Sequence, residues 1–123
     1  MVEEELTSAI IGAAINLHKK TGPGLLESVY KTALAFDLRE MGLRVRSEVP
    51  LPFIYKGIKL DVGYRIDLMV ENKVIIEIKS VVNMPPVYFS QILTYIKLSG
   101  KKVGLLINFN SKVLIDGVHR FVN

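Results

Sequence analysis

Apolar residues recur at helical spacing from the start of the chain. Leu6, Ile10, Ala13, Ala14 and Leu17 fall on one stripe, which predicts an amphipathic helix. Glu3, Glu4 and Glu5 suit the positive end of its dipole, and Lys19 and Lys20 the negative end. Thr21-Gly22-Pro23-Gly24 stops it. A second helix is predicted from Leu25 to Met41, with Gly42 as its stop. It carries two apolar stripes: Leu25, Leu26, Val29, Ala33 and Phe36, then Tyr30, Leu34, Leu38 and Met41. Two stripes predict cover on two sides. Glu27 falls within the second stripe, where a carboxylate needs a reason.

Strand patterning follows. Leu43–Tyr55 is β-rich and broken by Pro50 and Pro52, as in an edge strand or a bulge. Lys56-Gly57 signals a turn. Ile58–Val70 and Val74–Val82 read as the second and third strands, joined through Glu71-Asn72-Lys73. The third is almost continuously apolar, the pattern of a central strand buried on both faces. Pro85-Pro86 opens a helix with a core stripe of Phe89, Ile92, Leu93 and Ile96, ended by Gly100. Val103–Phe109 is a further buried strand, and Val113–Val122 reads as a last strand pair around Asp116-Gly117. Two helices, a three-strand meander, a helix and more strands predict an α/β (α+β) domain with one central sheet, occupying 1–123 without linker or repeat.

Composition narrows the classes. Half the 123 residues are hydrophobic, which excludes intrinsic disorder, yet no apolar run approaches a bilayer span. Without cysteine there are no disulfides or thiolate metal sites. With the acidic start, which does not resemble a secretory signal, this makes the cytoplasm the expected compartment. The formal charge of +4 permits a polyanionic partner without requiring one.

The informative charges are those inside apolar strands. Glu77 and Lys79 are two apart in the third strand and share a face. Asp67 lies in the second strand between Ile66 and Leu68. Burying such ions costs several kcal/mol each, in rough terms, unless they are paired or bind a metal. A three-residue loop, Glu71 to Lys73, puts Asp67 opposite Glu77. A two-residue loop puts it on the wrong face unless a bulge corrects it. Two close carboxylates bind a hard divalent cation through oxygen, Mg²⁺ first and Mn²⁺ next. A lysine beside them can orient an attacking water and stabilise phosphoryl charge. The bland alternative is a surface hairpin with solvated, paired charges.

The spacing Asp67…Glu77-Ile78-Lys79 resembles the signature of the PD-(D/E)XK nuclease superfamily. The segment Gly24-Leu25-Leu26-Glu27-Ser28-Val29-Tyr30 resembles the motif that names the GxxExxY protein family. Tyr55-Lys56-Gly57, Gly63-Tyr64-Arg65-Ile66-Asp67-Leu68 and Gly104-Leu105-Leu106-Ile107-Asn108-Phe109-Asn110 extend the likeness over nearly the whole chain. Ile66 stands where the signature has proline. The resemblance implies a restriction-endonuclease-like fold, a central mixed sheet flanked by helices with an αβββαβ core. It implies a Mg²⁺- or Mn²⁺-dependent nuclease, with Asp67, Glu77 and Glu27 as metal ligands and Lys79 as the fourth catalytic residue. Gln91 and Tyr95 match the Gln-x-x-x-Tyr pattern of the branch related to RecB and lambda exonuclease. They are expected on the substrate side, on a helix face away from the Phe89–Ile96 stripe. Arg65 either contacts phosphate or pairs with Glu77. His18 reads as a cap or a satisfied surface histidine, Tyr30 as a packing residue, and His119 has no partner legible in sequence.

Two functions compete. One is a metal-dependent hydrolase of nucleic acid, DNA before RNA, acting without a membrane and as a homodimer. The other is a non-catalytic nucleic-acid-binding or protein-interaction module on the same scaffold. Metal-dependent cleavage separates them.

Overall fold

The computed structural model describes all residues, 1–123. Helices α1 (Glu3–Thr21) and α2 (Glu27–Glu40) come first, followed by strand β1 (Val45–Pro50). A small hairpin, β2 (Phe53–Tyr55) and β3 (Ile58–Leu60), precedes β4 (Arg65–Val70) and β5 (Val74–Lys79). Helix α3 (Pro86–Ser99), strand β6 (Val103–Asn108), a 3₁₀ turn (Leu114–Gly117) and strand β7 (Val118–Val122) complete the chain. The main sheet has the order β1-β4-β5-β6-β7, with β5 in the centre as its apolar run predicts. The β5–β6 pair is parallel and the others antiparallel, so the sheet is mixed. A parallel pair needs a long crossover, and α3 is that crossover. No helix is long and apolar enough to cross a membrane.

Side-chain alternation divides the core into two layers. Leu68, Val70, Ile76, Ile78, Leu105 and Ile107 pack with Leu6, Ile10, Leu17, Tyr30, Leu34 and Leu38 of α1 and α2. Met69, Ile75 and Leu106 point the other way, onto Ile92, Tyr95 and Ile96 of α3. Each such buried aliphatic side chain is worth roughly 1.5–3 kcal/mol. The close approach of α3 depends on Gly104, where a Cβ would lie 2.9 Å from Ile96 Cδ1. Gly100, at φ 71°, takes the left-handed cap that ends α3.

Several sequence expectations change. Only the Tyr30–Leu34–Leu38 stripe of α2 is buried; Leu26, Val29 and Phe36 of the other stripe are exposed, as is Met41. The sheet and α1 lie on one side of α2, and no element covers the other. Leu93 is exposed too. Ile58–Val70 is two strands, because the chain turns at Asp61–Tyr64 with Gly63 at φ 81°. The end of the chain is a 3₁₀ turn and one strand instead of a strand pair.

Candidate active site

Strands β4 and β5 pair from Val70↔Val74 to Leu68↔Ile76, and there the ladder stops. The three-residue turn Glu71–Lys73 sets this register, with Glu71 and Asn72 at φ 53° and 54° and the Lys73 N–H donating to the Val70 carbonyl at 3.0 Å. The next opposed residues are Asp67 and Glu77. Their carboxylates replace the missing main-chain partners. The Asp67 N–H donates to Glu77 Oε1 at 3.0 Å, and the Ile78 N–H donates to Asp67 Oδ2 at 2.8 Å. Each carboxylate thus accepts one main-chain N–H through one of its oxygens. The strands part here while β5 stays paired to β6 as far as Lys79↔Asn108.

Burial governs the electrostatics. Glu77 is 4% exposed. Desolvation first, then the Asp67 charge, push its carboxyl up to about 8. Desolvation also raises Asp67, against the pull of the Ile78 N–H, Lys31 and Lys79. Two acids facing each other in a largely desolvated split hold a proton near neutrality unless a cation replaces it.

Lys79 lies on the same strand face as Glu77, by alternation. Its Nζ sits 4.3 Å from the centroid of the Tyr88 ring, a cation–π contact with α3. Tyr88 is a neighbour that sequence reading missed. Gln91 Nε2 donates to the Tyr95 hydroxyl at 2.9 Å, as the shared helix face predicts. Tyr95, however, is buried with Ile92 and Ile96 instead of lying away from that stripe, and its ring meets Tyr64 edge-on. Burial and then the Glu77 charge raise its hydroxyl's pKa, so the pair lies within electrostatic reach of the acids.

Glu27 departs from expectation in its surroundings: it is exposed, at the first turn of α2. It lines an open cleft of about 540 Å³ with Ser28, Ser80 and Asn110. Its Oε2 accepts a long 3.4 Å bond from the Ser80 N–H, directly after Lys79, and its charge is felt at Asp67. The Tyr30 hydroxyl secures this helix start, donating to the Gly22 carbonyl at 2.5 Å and accepting from the Leu25 N–H at 3.2 Å. The Tyr30 ring stacks on Phe109 with centroids 4.4 Å apart, so it packs as expected.

Arg65 does not meet Glu77. It reaches Asp61 at 3.5 Å and the Tyr64 carbonyl at 2.9 Å. His18 is buried instead of on the surface, bonded to the Ser111 carbonyl at 2.8 Å. His119 meets the Phe89 ring edge-on.

Three further residues surround the site without having been singled out in sequence. Asn108 is buried; its Oδ1 accepts from the Val81 and Asn110 N–H groups and its Nδ2 donates to the Val81 carbonyl. It ties down the segment leaving Lys79. The signal for it was present: an amide in a fully buried strand. Glu48 stands opposite Asp67 on the other edge of β4, between the pairs Ser47↔Leu68 and Val49↔Ile66. Its φ of 53° interrupts β1, and its carboxylate pairs with Lys31, one helical turn beyond Glu27. No local pattern could have revealed that pair, which joins a helix to a strand.

No three His, Asp or Glu side chains converge into a ready-made metal cage. The Asp67–Glu77 pair instead suits an ion that takes few protein oxygens and keeps its waters, as Mg²⁺ does.

The sequence profile of the PD-(D/E)XK nuclease superfamily matches residues 4–121. The chain belongs to this superfamily, and its mixed sheet flanked by helices is consistent with that fold. No curated protein and no solved structure matches the chain. Members of the superfamily are generally dependent on divalent metals.

Proposed function

We propose that this protein is a divalent-metal-dependent nuclease that hydrolyses phosphodiester bonds, with DNA as its substrate. The observation that carries the reading is the pair of carboxylates, Asp67 and Glu77, held face to face where two buried strands part, with Lys79 on the same face. A structural hairpin would close its ladder at this point and would not bury Glu77 against a second, half-buried acid.

Asp67 and Glu77 would hold the ion through the oxygens that do not accept a main-chain N–H, and Glu27 would reach it from the neighbouring cleft. When bound, Mg²⁺ or Mn²⁺ supplies charge neutralisation at the phosphoryl group and acidifies water. The chain's own part is positioning. The Ile78 and Asp67 N–H groups fix the carboxylates. Lys79, resting on the Tyr88 face, orients the attacking water and meets the charge that grows on the phosphoryl oxygens. Tyr95, bridged to Gln91, closes the α3 side of the site.

The test is a panel of single- and double-stranded DNA and RNA with Mg²⁺ or Mn²⁺, run beside Glu77→Gln and Lys79→Ala. Cleavage lost in both variants supports the assignment. Cleavage that persists in both places the activity elsewhere.

A further inference from the structure

The β2–β3 hairpin forms a two-stranded sheet of its own, unpaired with the main sheet. Its register, Phe53↔Leu60, Ile54↔Lys59 and Tyr55↔Ile58, places Phe53, Tyr55, Ile58 and Leu60 on one face. All four are exposed, between 37% and 61%. The Phe53 and Tyr55 rings lie nearly parallel, 18° apart with centroids at 6.0 Å, and Lys56 Nζ stands 5.5 Å from the Tyr55 centroid. Residues 53–60 carry two lysines and no acid. A face this apolar on so small a hairpin loses free energy in water unless something covers it.

Position and charge identify what covers it. The hairpin leaves the sheet beyond the last β1–β4 pair, Pro50↔Arg65, at the end that carries Asp67. Leu60 lies seven residues from Asp67, at most about 25 Å along an extended chain. That is about seven nucleotides of a strand advancing 3.4 Å each. A second copy of this chain is a poor occupant, because stable protein interfaces take roughly 20–30 residues a side and like-charged lysines would meet. An aromatic face with a lysine at its edge suits unpaired bases and a phosphate.

We infer that the β2–β3 hairpin is a nucleic-acid grip: bases of single-stranded nucleic acid stack on Phe53 and Tyr55, and Lys56, at the turn beside Tyr55, meets an adjoining phosphate. The inference rests on the nuclease reading for its substrate class, and binding measured without cleavage tests it separately. The grip holds the strand that the Asp67–Glu77 site cuts, and it favours single-stranded or frayed ends over closed duplex.

The test is fluorescence anisotropy of a labelled single-stranded DNA oligonucleotide and its duplex, in EDTA so that nothing is cut. Phe53→Ser combined with Tyr55→Ser is expected to weaken single-strand binding at least tenfold. Phe53→Tyr combined with Tyr55→Phe, which keeps both rings, is expected to bind like wild type. Lys56→Ala should flatten the salt dependence by about 0.7 in the slope of log K against log salt. These positions are exposed, and matching circular dichroism and Tm would verify the fold of each variant. The proposal is overturned if wild type binds no oligonucleotide, if the serine pair binds as tightly as wild type, or if wild type sediments as a dimer that the serine pair dissociates. If wild type binds through the hairpin yet never cuts, the grip stands and the nuclease reading falls.

Discussion

The Asp67 N–H donates to the Glu77 carboxylate at 3.0 Å, where a β-ladder would have had it donate to a main-chain carbonyl. The reciprocal bond, from the Ile78 N–H to Asp67, makes the gap between β4 and β5 a closed hydrogen-bonded unit. The backbone donors are satisfied, so the strands can part without leaving buried N–H groups bare. The cost falls on the two acids, which are crowded and desolvated together.

That cost has a sign. Glu77 titrates at about 8 in the folded chain, against an ordinary value of 4.5. The folded state therefore keeps a proton that the unfolded chain releases. The associated stability is complete below pH 4.5 and is lost as the pH rises through about 8. The limiting slope is about 1.4 kcal/mol per pH unit. Denaturant melts of the metal-free protein from pH 4 to 9 should show this decline, Glu77→Gln should flatten it, and added Mg²⁺ or Mn²⁺ should offset it at pH 8. A metal-free protein with constant stability over that range would contradict the buried-acid assignment.

On the proposed nuclease reading, in which the ammonium would act on water and phosphate, Lys79→Ala should reduce cleavage by at least about 10²-fold while leaving stability nearly unchanged. Its contact with Tyr88 is worth only about 0.5–1 kcal/mol where solvent reaches it. Lys79→Arg should not restore the rate, since a planar guanidinium cannot replace a compact ammonium. Single-turnover rates beside thermal melts separate the two effects.

Tyr30→Phe keeps the stack on Phe109 but removes a hydroxyl that holds both Gly22 and Leu25. A loss of about 0.5–1.5 kcal/mol per hydrogen bond is expected, because Gly22 is only half-buried and Leu25 is exposed. Glu27 follows this loop by two residues, so cleavage should fall as well. Urea melts and initial rates on one preparation would show both losses.

Glu48 holds a left-handed conformation that costs about 1–3 kcal/mol for a residue other than glycine. Its exposed ion pair with Lys31 returns only about 0–1 kcal/mol. Glu48→Gly should therefore be neutral or stabilising, whereas Glu48→Ala, which keeps the strain and loses the pair, should destabilise. A Tm order with alanine above glycine would show that β1 relaxes at this point.

The sequence was most informative where a single period governs. The 3.6-residue stripe of α1, the continuous apolar run of β5 and the Pro85-Pro86 start and Gly100 stop of α3 are all local, and all are present. The odd loop needed to place Asp67 opposite Glu77 is a counting argument, and the register follows it. Failures came where neighbours in space decide. The apolar face of α2 with Leu26, Val29 and Phe36 stays in solvent because no element lies over it. Tyr95 is buried because α3 is turned to lay it against Tyr64 beside Ile92.

The chemistry divides in the same way. Sequence by itself showed which charges lie in apolar strands, where an unpaired ion is costly, and that Asp67 would face Glu77 if the loop between the strands is odd. Only the tertiary structure decided how they are held. It parted β4 from β5, gave each carboxylate a backbone donor, laid Lys79 on Tyr88, tied the following segment to Asn108 and set Glu48 and Lys31 beside Asp67. These contacts join residues distant in the chain, and their geometry comes from packing helices on a twisted sheet, which no local pattern encodes.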